Sequence, residues 1–156
     1  MNNAIDVASF GPIMRLRPEA WRHTIDSHVT TFLVASQKAA KLMTARGGSI
    51  VALSSLGSRG CIPGYAPVGV GKAAIEALTR YLAVEFGPLG IRVNTVSGGP
   101  IDTDALKAFP TYEQMKDAST RLAPGRRMGQ PEDIADVVAF LCSEGARWIY
   151  GQTIVV

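Results

Sequence analysis

Hydrophobic residues recur along the chain with two periods, one typical of helices and one typical of short buried strands. Helical spacing runs over 17–46 and 68–86, and shorter helical stretches follow near 112–122 and over 131–142. Three apolar, β-branched runs, SIVALS at 49–54, IRVNTV at 91–96 and TIVV at 153–156, are typical of buried parallel strands. The expected inward positions of the first two helices are Ile25, Val29, Phe32, Leu33, Ala39, Ala40, Leu42 and Met43, and then Val70, Ala73, Ala74, Ala77, Leu78, Tyr81 and Leu82.

The alternation of strands and helices predicts the fold class. Strand, helix, strand, helix, strand is the order of an α/β, Rossmann-like doubly wound parallel sheet, and we expect one domain over 1–156. Ligands of such sheets collect at the carboxyl ends of the strands. Segments 54–58 and 97–103 occupy those ends, so we expect the functional site there.

Composition and charge narrow the functional classes. With 47% hydrophobic and 19% charged residues in 156, a disordered chain is excluded. The net charge of +3 comes from scattered Lys and Arg, which favours a solvated surface over a nucleic-acid partner. No apolar run reaches the ~20 residues that span a bilayer, so we expect a cytoplasmic protein without membrane contact. Cys61 and Cys142 lie 81 positions apart, and His23 and His28 lie five apart; neither pair has metal-ligand spacing, so we predict no metal site.

The segment GVGKAA, at 69–74, formally matches a dinucleotide-binding fingerprint. That motif works only directly after a strand, where its backbone approaches a pyrophosphate. Here Pro63 and Pro67 precede it, so we interpret the match as accidental and expect its glycines to allow close helix packing.

Tyr65 and Lys72 form a more informative pair. Seven residues are close to two helical turns, so a tyrosine just ahead of a helix can stand above a lysine on the same face. A nearby ammonium favours the phenolate and would lower the tyrosine pKa from its usual value of about 10. Such a pair also occurs by chance in many proteins, but here it follows a strand that ends in Ser54-Ser55.

The run SIVALSSLGS, the Y-x6-K spacing and the segment AAIEALTRYLAVEFGPLGIRVNTVSGGPIDTDAL together resemble the short-chain dehydrogenases/reductases. More narrowly, the chain resembles the NADPH-dependent enoyl-acyl carrier protein reductases of the FabL type. The likeness runs from Asn2-Asn3-Ala4 to the final GQTIVV. Most of the wider family places its tyrosine four residues before the lysine, where this chain has Val68. The longer spacing therefore favours an enoyl reductase over an alcohol dehydrogenase or ketoacyl reductase.

The resemblance implies a role for each site residue. Tyr65 would stabilise the enolate oxygen of an acyl thioester, and Lys72 would bind the nicotinamide ribose. Ser55 would orient the substrate, although a hydroxyl at a strand end can also cap a turn. His28 stands where many relatives have an asparagine that supports a proton-relay water. The residues expected at the cofactor, NADPH with NADH as the other possibility, are Asn2, Asn3, Tyr65, Lys72, Ser97, Gly98, Gly99, Ile101 and Thr103.

The same resemblance implies that the chain is the carboxy-terminal part of a larger domain. A full member begins with a glycine-rich βαβ unit that binds the pyrophosphate, and this unit is absent from the 156 residues. Either the 156 residues are a fragment of a longer product, or the product itself is truncated. If it is truncated, we expect weak cofactor binding and poor solubility as a lone monomer. Three functions stay open: enoyl thioester reduction on acyl carrier protein, reduction or oxidation of another carbonyl or alcohol, and a noncatalytic partner subunit. In the full-length form we expect a homo-oligomer, in which family members commonly pair through helices matching 29–43 and 70–86.

Overall fold

The computed structural model describes residues 10–107 and 111–156. The helices are α1 (Pro18–Ile25), α2 (Thr31–Met43), α3 (Ala66–Phe86), α4 (Asp104–Lys107), α5 (Tyr112–Leu122) and α6 (Pro131–Cys142). The strands are β1 (Gly48–Ser55), β2 (Ile91–Gly98) and β3 (Thr153–Val155). Short 3-10 turns occupy Ile13–Arg15, Leu56–Ser58, Gly87–Leu89 and Glu144–Ala146.

The three strands form a parallel sheet in the order β1-β2-β3. One face packs against α2 and α3, with a core that includes Phe32, Ala52 and Ile75. The opposite face packs against α6, with Val51 and Leu141 in its core. Because side chains alternate between the two faces of a strand, the neighbours Val51 and Ala52 enter different cores. Helices on both faces confirm the predicted Rossmann-like, doubly wound fold.

Two glycines bring the amino ends of β1 and β2 close together. Gly47 and Gly90 both have left-handed backbones, with φ values of 68° and 71°. A Cβ on Gly47 would lie 2.5 Å from the Gly90 carbonyl oxygen, so a side chain cannot fit there. The Gly48 N–H donates to the same oxygen over 3.1 Å. This contact fixes the register that brings the carboxyl ends of the two strands side by side.

The first predicted helix differs from the expectation in one local feature. A π-type turn, Asp26–Thr30, joins α1 to α2 within the predicted range 17–46. It places His28 in the interior, fully buried, and a Cβ on Gly71 of α3 would lie 3.1 Å from its Nδ1. His28 therefore packs against the helix that carries Lys72.

Three of the expected inward positions are wrong. Leu42 is 88% exposed, Tyr81 is 70% exposed and Val70 is 46% exposed. The buried stripe of α3 is instead rotated, and it includes polar residues such as Thr79, whose hydroxyl meets that of Thr95 on β2 at 2.7 Å. Periodicity located the helices but could not tell which apolar stripe faces the sheet. None of the helices in the described ranges is long and apolar enough to cross a membrane.

Candidate active site

The side chains of Ser55 and Tyr65 meet at the carboxyl end of β1. Ser55 is the last residue of the strand, and Tyr65 immediately precedes α3. The Tyr65 phenol donates to Ser55 Oγ over 3.3 Å, which is long compared with the usual O–H···O distance of about 2.7–2.8 Å. Ser55 Oγ also accepts the Gly57 backbone N–H at 3.0 Å. Ser55 therefore caps the turn, and it also stands beside the tyrosine as a second hydroxyl.

Lys72 reaches the same strand end from the second turn of α3. Its side chain is buried, and its Nζ donates to the Leu53 carbonyl oxygen at 2.9 Å. Burial lowers the pKa of Lys72 from 10.5 to about 8, because the interior disfavours the charged form. An ammonium has three N–H donors. Within 10–107 and 111–156 only Leu53 accepts one of them, so Lys72 can bind a further ligand oxygen.

Tyr65 and Lys72 are held by β1 and not by each other. The sequence predicts an ammonium close to the phenol, but no hydrogen bond joins the two side chains in the described part of the chain. Their partners, Ser55 and Leu53, lie two residues apart on β1. The contacts with β1 therefore determine how far apart the Tyr65 and Lys72 side chains lie.

Close packing fixes the ring of Tyr65. A Cβ on Gly57 would lie 2.5 Å from Tyr65 Cε1, so only glycine leaves room for the ring. A Cβ on Gly69 would lie 2.6 Å from the Gly57 carbonyl oxygen, so the α3 backbone approaches the turn directly. Phe10 stacks on the other side of the ring, with centroids 5.5 Å apart. GVGKAA thus lies inside α3, which confirms that its fingerprint match is accidental and that its glycines serve close packing.

Ser97 and Gly98 lie at the same edge, on the neighbouring strand. In the β1–β2 register Ser54 pairs with Ser97, and Ser55 pairs with Gly98. Ser97 is fully buried, and its Oγ has no hydrogen-bond partner among the described residues. An unpaired buried hydroxyl costs about 1–3 kcal/mol. The Ser97 hydroxyl is therefore a buried polar group at this edge that lacks a partner among the described residues.

The other predicted cofactor residues have local structural roles. Gly99 follows the strand beside Leu56, whose Cδ1 would lie 3.4 Å from an added Cβ. Ile101 forms an isolated parallel bridge with Gly129, and Thr103 accepts the Leu106 N–H at 3.2 Å where α4 begins. Their contact with a cofactor remains a prediction. The positions expected near the adenine ribose, Asn2 and Asn3, lie outside the described residues.

Sequence reasoning misses two side chains beside the site. Phe10 contacts Tyr65 through tertiary packing alone, and nothing in the sequence indicates that contact. Glu76 lies four residues after Lys72 and is buried. A spacing of four residues places Glu76 and Lys72 on one face of the helix. A carboxylate on the face that carries Lys72 is the sequence signal from which Glu76 could have been predicted to lie beside the site.

This edge fits the nicotinamide end of a dinucleotide coenzyme. The spare N–H groups of Lys72 are suited to the ribose hydroxyls of such a group, and the buried Ser97 hydroxyl at the same edge lacks a partner among the described residues. The Tyr65 phenol and the Ser55 hydroxyl stand next to them as donors for a second ligand. Donors that are fixed before reaction can stabilise negative charge that develops on a substrate oxygen. The arrangement is therefore suited to stabilising an oxyanion next to a bound nicotinamide.

Known proteins are similar to this chain in sequence and in fold. A family model described as Enoyl-(Acyl carrier protein) reductase matches residues 1–156. A 1-cyclohexenylcarbonyl-CoA reductase from Streptomyces collinus is 45% identical over 96% of this chain and 54% of its own length. The enoyl-[acyl-carrier-protein] reductase [NADH] FabI of Bacillus subtilis is 42% identical over 85% of this chain and 50% of its own.

A solved short-chain type dehydrogenase/reductase from Mycobacterium ulcerans superposes with a TM-score of 0.87 at 32% identity. The match covers 98% of this chain and 56% of that one. The chain thus spans about half the length of the relatives it matches. By family model, sequence and fold, the chain belongs to the enoyl-(acyl carrier protein) reductase family of the short-chain dehydrogenases/reductases.

Proposed function

We propose that the protein carrying this chain reduces the carbon–carbon double bond of 2-enoyl thioesters on acyl carrier protein, with NADPH as hydride donor, in fatty acid biosynthesis. One observation carries the proposal. The phenol that reaches Ser55 belongs to the residue seven before Lys72, whereas the residue four before it, Val68, is an apolar side chain with no exposed surface. The shorter spacing typical of ketone and alcohol enzymes of the wider family therefore has no phenol here.

The bound coenzyme would supply a hydride to the β-carbon of the thioester. Negative charge then moves to the thioester carbonyl oxygen, and Tyr65 donates a hydrogen bond to that oxygen. When the phenol turns its single O–H from Ser55 Oγ to the thioester oxygen, the Ser55 hydroxyl, 3.3 Å away, donates to the phenol oxygen and holds it in position. Lys72 stays anchored at Leu53 and orients the ribose with its remaining N–H groups. A proton added at the α-carbon completes the saturated thioester.

The relatives support an enoyl thioester and leave the carrier and coenzyme to experiment. One is named for a cyclohexenylcarbonyl thioester of coenzyme A and the other for an enoyl group on acyl carrier protein. Both names describe a double bond conjugated to a thioester. The Bacillus subtilis relative is named for NADH, and the choice of NADPH in this proposal comes from the resemblance to enoyl reductases of the FabL type.

The proposal is tested with the natural gene product that carries this sequence. Oxidation of NADPH and of NADH is followed with crotonyl and acetoacetyl thioesters, each on acyl carrier protein and on coenzyme A. We expect turnover of the crotonyl thioesters, faster on acyl carrier protein and with NADPH. Reduction of the acetoacetyl thioester without reduction of the crotonyl one would instead identify a ketone reductase.

We further propose that the protein is a homo-oligomer that pairs through α2 and α3. Val70, Tyr81 and Val84 are exposed on α3, and their spacings of 11 and 14 residues place them on one stripe of the helix. Leu42 is exposed on α2. A contiguous apolar surface on a helix of this kind is typical of a protein interface.

A further inference from the structure

Glu76 is a buried carboxylate whose hydrogen bonds all lead away from Lys72. Its side chain is 9% exposed, on the face of α3 that meets the turn after β1. Oε1 accepts from Ser54 Oγ at 2.6 Å and lies 2.5 Å from Ser58 Oγ. Oε2 lies 3.5 Å from Nε of Arg59. Every one of these side-chain partners belongs to the segment 54–59.

The partners of Glu76 bracket Ser55. Ser54 precedes it in β1, and Ser58 follows it in the turn, where Ser58 Oγ also lies 2.8 Å from the Ser55 carbonyl oxygen. Apart from the contact of Ser55 Oγ with the Tyr65 phenol, the other hydrogen bonds of the turn among the described residues are local. They join Gly57 N–H to Ser55 Oγ, and Arg59 N–H and Gly60 N–H to the Leu56 carbonyl. Glu76 is thus a side chain from within α3 that ties this turn to the helix that also carries Lys72.

A role as counter-ion to Lys72 does not fit these contacts. Residues four apart on a helix can pair, yet the ion pair recorded for Glu76 is with Arg59 and the Lys72 ammonium bonds Leu53. A buried carboxylate is stable only when its oxygens are hydrogen-bonded. Here the Ser54 hydroxyl and the Arg59 guanidinium donate to it, and the single O–H of Ser58 has the carboxylate and the Ser55 carbonyl oxygen as its two acceptors within reach. The Glu76 carboxylate therefore binds the turn after β1 and does not pair with Lys72.

We propose that Glu76 is a positioning residue that holds the Ser55 hydroxyl against the Tyr65 phenol through Ser54 and Ser58. The inference rests on the proposed function in one respect, namely that Ser55 and Tyr65 act together on a thioester oxygen. Glu76 itself touches neither substrate nor coenzyme. Its loss therefore acts on catalysis only through Ser55.

A double-mutant cycle tests this route. Glu76→Gln keeps the size of the side chain but replaces one accepting oxygen by an N–H2 group, and Ser55→Ala removes the hydroxyl that Glu76 positions. We expect E76Q to lower kcat for crotonyl thioester by roughly 10-fold, as in coupled hydrogen-bond networks, and to leave the KM for the coenzyme unchanged. In the S55A background, E76Q should have no further effect. Glu85→Gln, on the exposed face of the same helix, is the control and should match wild type.

Additive effects of E76Q and S55A, or an E76Q enzyme within twofold of wild type, would overturn the inference. Hydrogen exchange of the peptide that contains 54–60 gives a readout without activity. E76Q should speed exchange at Gly57, Arg59 and Gly60 while E85Q does not, and equal exchange in the two variants contradicts the inference. If wild type reduces no enoyl thioester but E76Q loosens the turn, the proposed function fails and the anchoring by Glu76 stands.

Discussion

At the scale of single residues, the ammonium of Lys72 is a charged group that the fold removes from water. It is 4% exposed, and burial alone lowers its pKa to about 8. In the unfolded chain the same group has a pKa near its ordinary value of 10.5. As pH rises through this window the folded protein loses the proton first, so the unfolded state binds more protons. The free energy of unfolding therefore increases with pH between about 8 and 10.5.

Replacing Lys72 by Met should remove this dependence. We expect the stability difference between wild type and K72M to shift in favour of wild type as pH rises through that window, by at most about 1.4 kcal/mol per pH unit. Urea denaturation at several alkaline pH values measures the free energy of unfolding of each protein, and hence the difference between them. Lys38→Met, at an exposed position of α2, is the matched control and should follow wild type. Parallel stability curves for K72M and wild type would mean that Lys72 is not desolvated in the fold.

The candidate site residues could be proposed from the sequence because the seven-residue spacing of Tyr65 and Lys72, at and after the start of a helix, is a local property. Tyr65, Lys72 and Ser55 are indeed brought together by β1 and α3. Glu76 could not be predicted with the same certainty, because glutamate on a helix is usually solvated and its burial depends on where the turn after β1 packs. The stacking of Phe10 on Tyr65 depends on a segment 55 positions earlier in the sequence.

At the scale of elements, the junction between β1 and α3 controls the placement of Tyr65. The junction is narrow because the turn presents Gly57 to the ring of Tyr65 and its carbonyl to Gly69. Neither glycine has a left-handed backbone, so the need for glycine is one of space. Close packing of the turn against the helix therefore fixes the position of the Tyr65 ring.

Gly57→Ala should move the phenol without unfolding the protein. The added methyl would lie 2.5 Å from Cε1 of Tyr65, so the ring must shift, and we expect kcat for crotonyl thioester to fall about 100-fold, as for small misplacements of a reacting group. Gly60→Ala is the control, because its methyl would lie 3.6 Å from the nearest atom, the Leu56 carbonyl oxygen. Equal activities of G57A and G60A would show that the packing of the ring is not critical.

The observed bounds of an element match the predicted ones closely where proline or capping residues mark its ends. Helix α6 runs over Pro131–Cys142 as predicted, with proline in its first turn and Asp133 accepting the Gln130 N–H at 2.7 Å. The π-type turn at Asp26–Thr30 was missed, because no proline or glycine marks it. Its cause is tertiary, since it delivers His28 into the core beside Gly71.

At the scale of the whole molecule, the exposed apolar residues of α2 and α3 explain why Leu42, Val70 and Tyr81 were expected to be inward. The spacing of apolar residues identifies a helix face that is covered in the folded protein, but it does not tell whether the same chain or another copy covers that face. Helix periodicity is the same in both cases. Under the proposed homo-oligomer, the three positions would be covered by another copy of the protein.

If the proposed homo-oligomer pairs through α2 and α3, Tyr81→Lys together with Val84→Lys should dissociate it. Two ammonium groups in an apolar interface cannot be desolvated without a large free-energy cost, so the sedimentation coefficient should drop to that of a smaller species. Leu122→Lys, at an equally exposed apolar position on α5, should leave it unchanged. Wild type that sediments as a monomer at micromolar concentration would contradict the assignment of this surface.

The most direct test of the account is the effect of Tyr65→Phe on enoyl thioester reduction by the natural gene product. Phenylalanine keeps the ring that packs against Gly57 and Phe10 and removes only the hydroxyl next to Ser55. Oxidation of reduced nicotinamide with crotonyl thioester should slow by about 10²–10³-fold, the usual effect of removing one oxyanion donor, while coenzyme affinity stays the same. A Y65F enzyme that keeps wild-type kcat would contradict the assignment of Tyr65 as the group that stabilises the thioester oxygen.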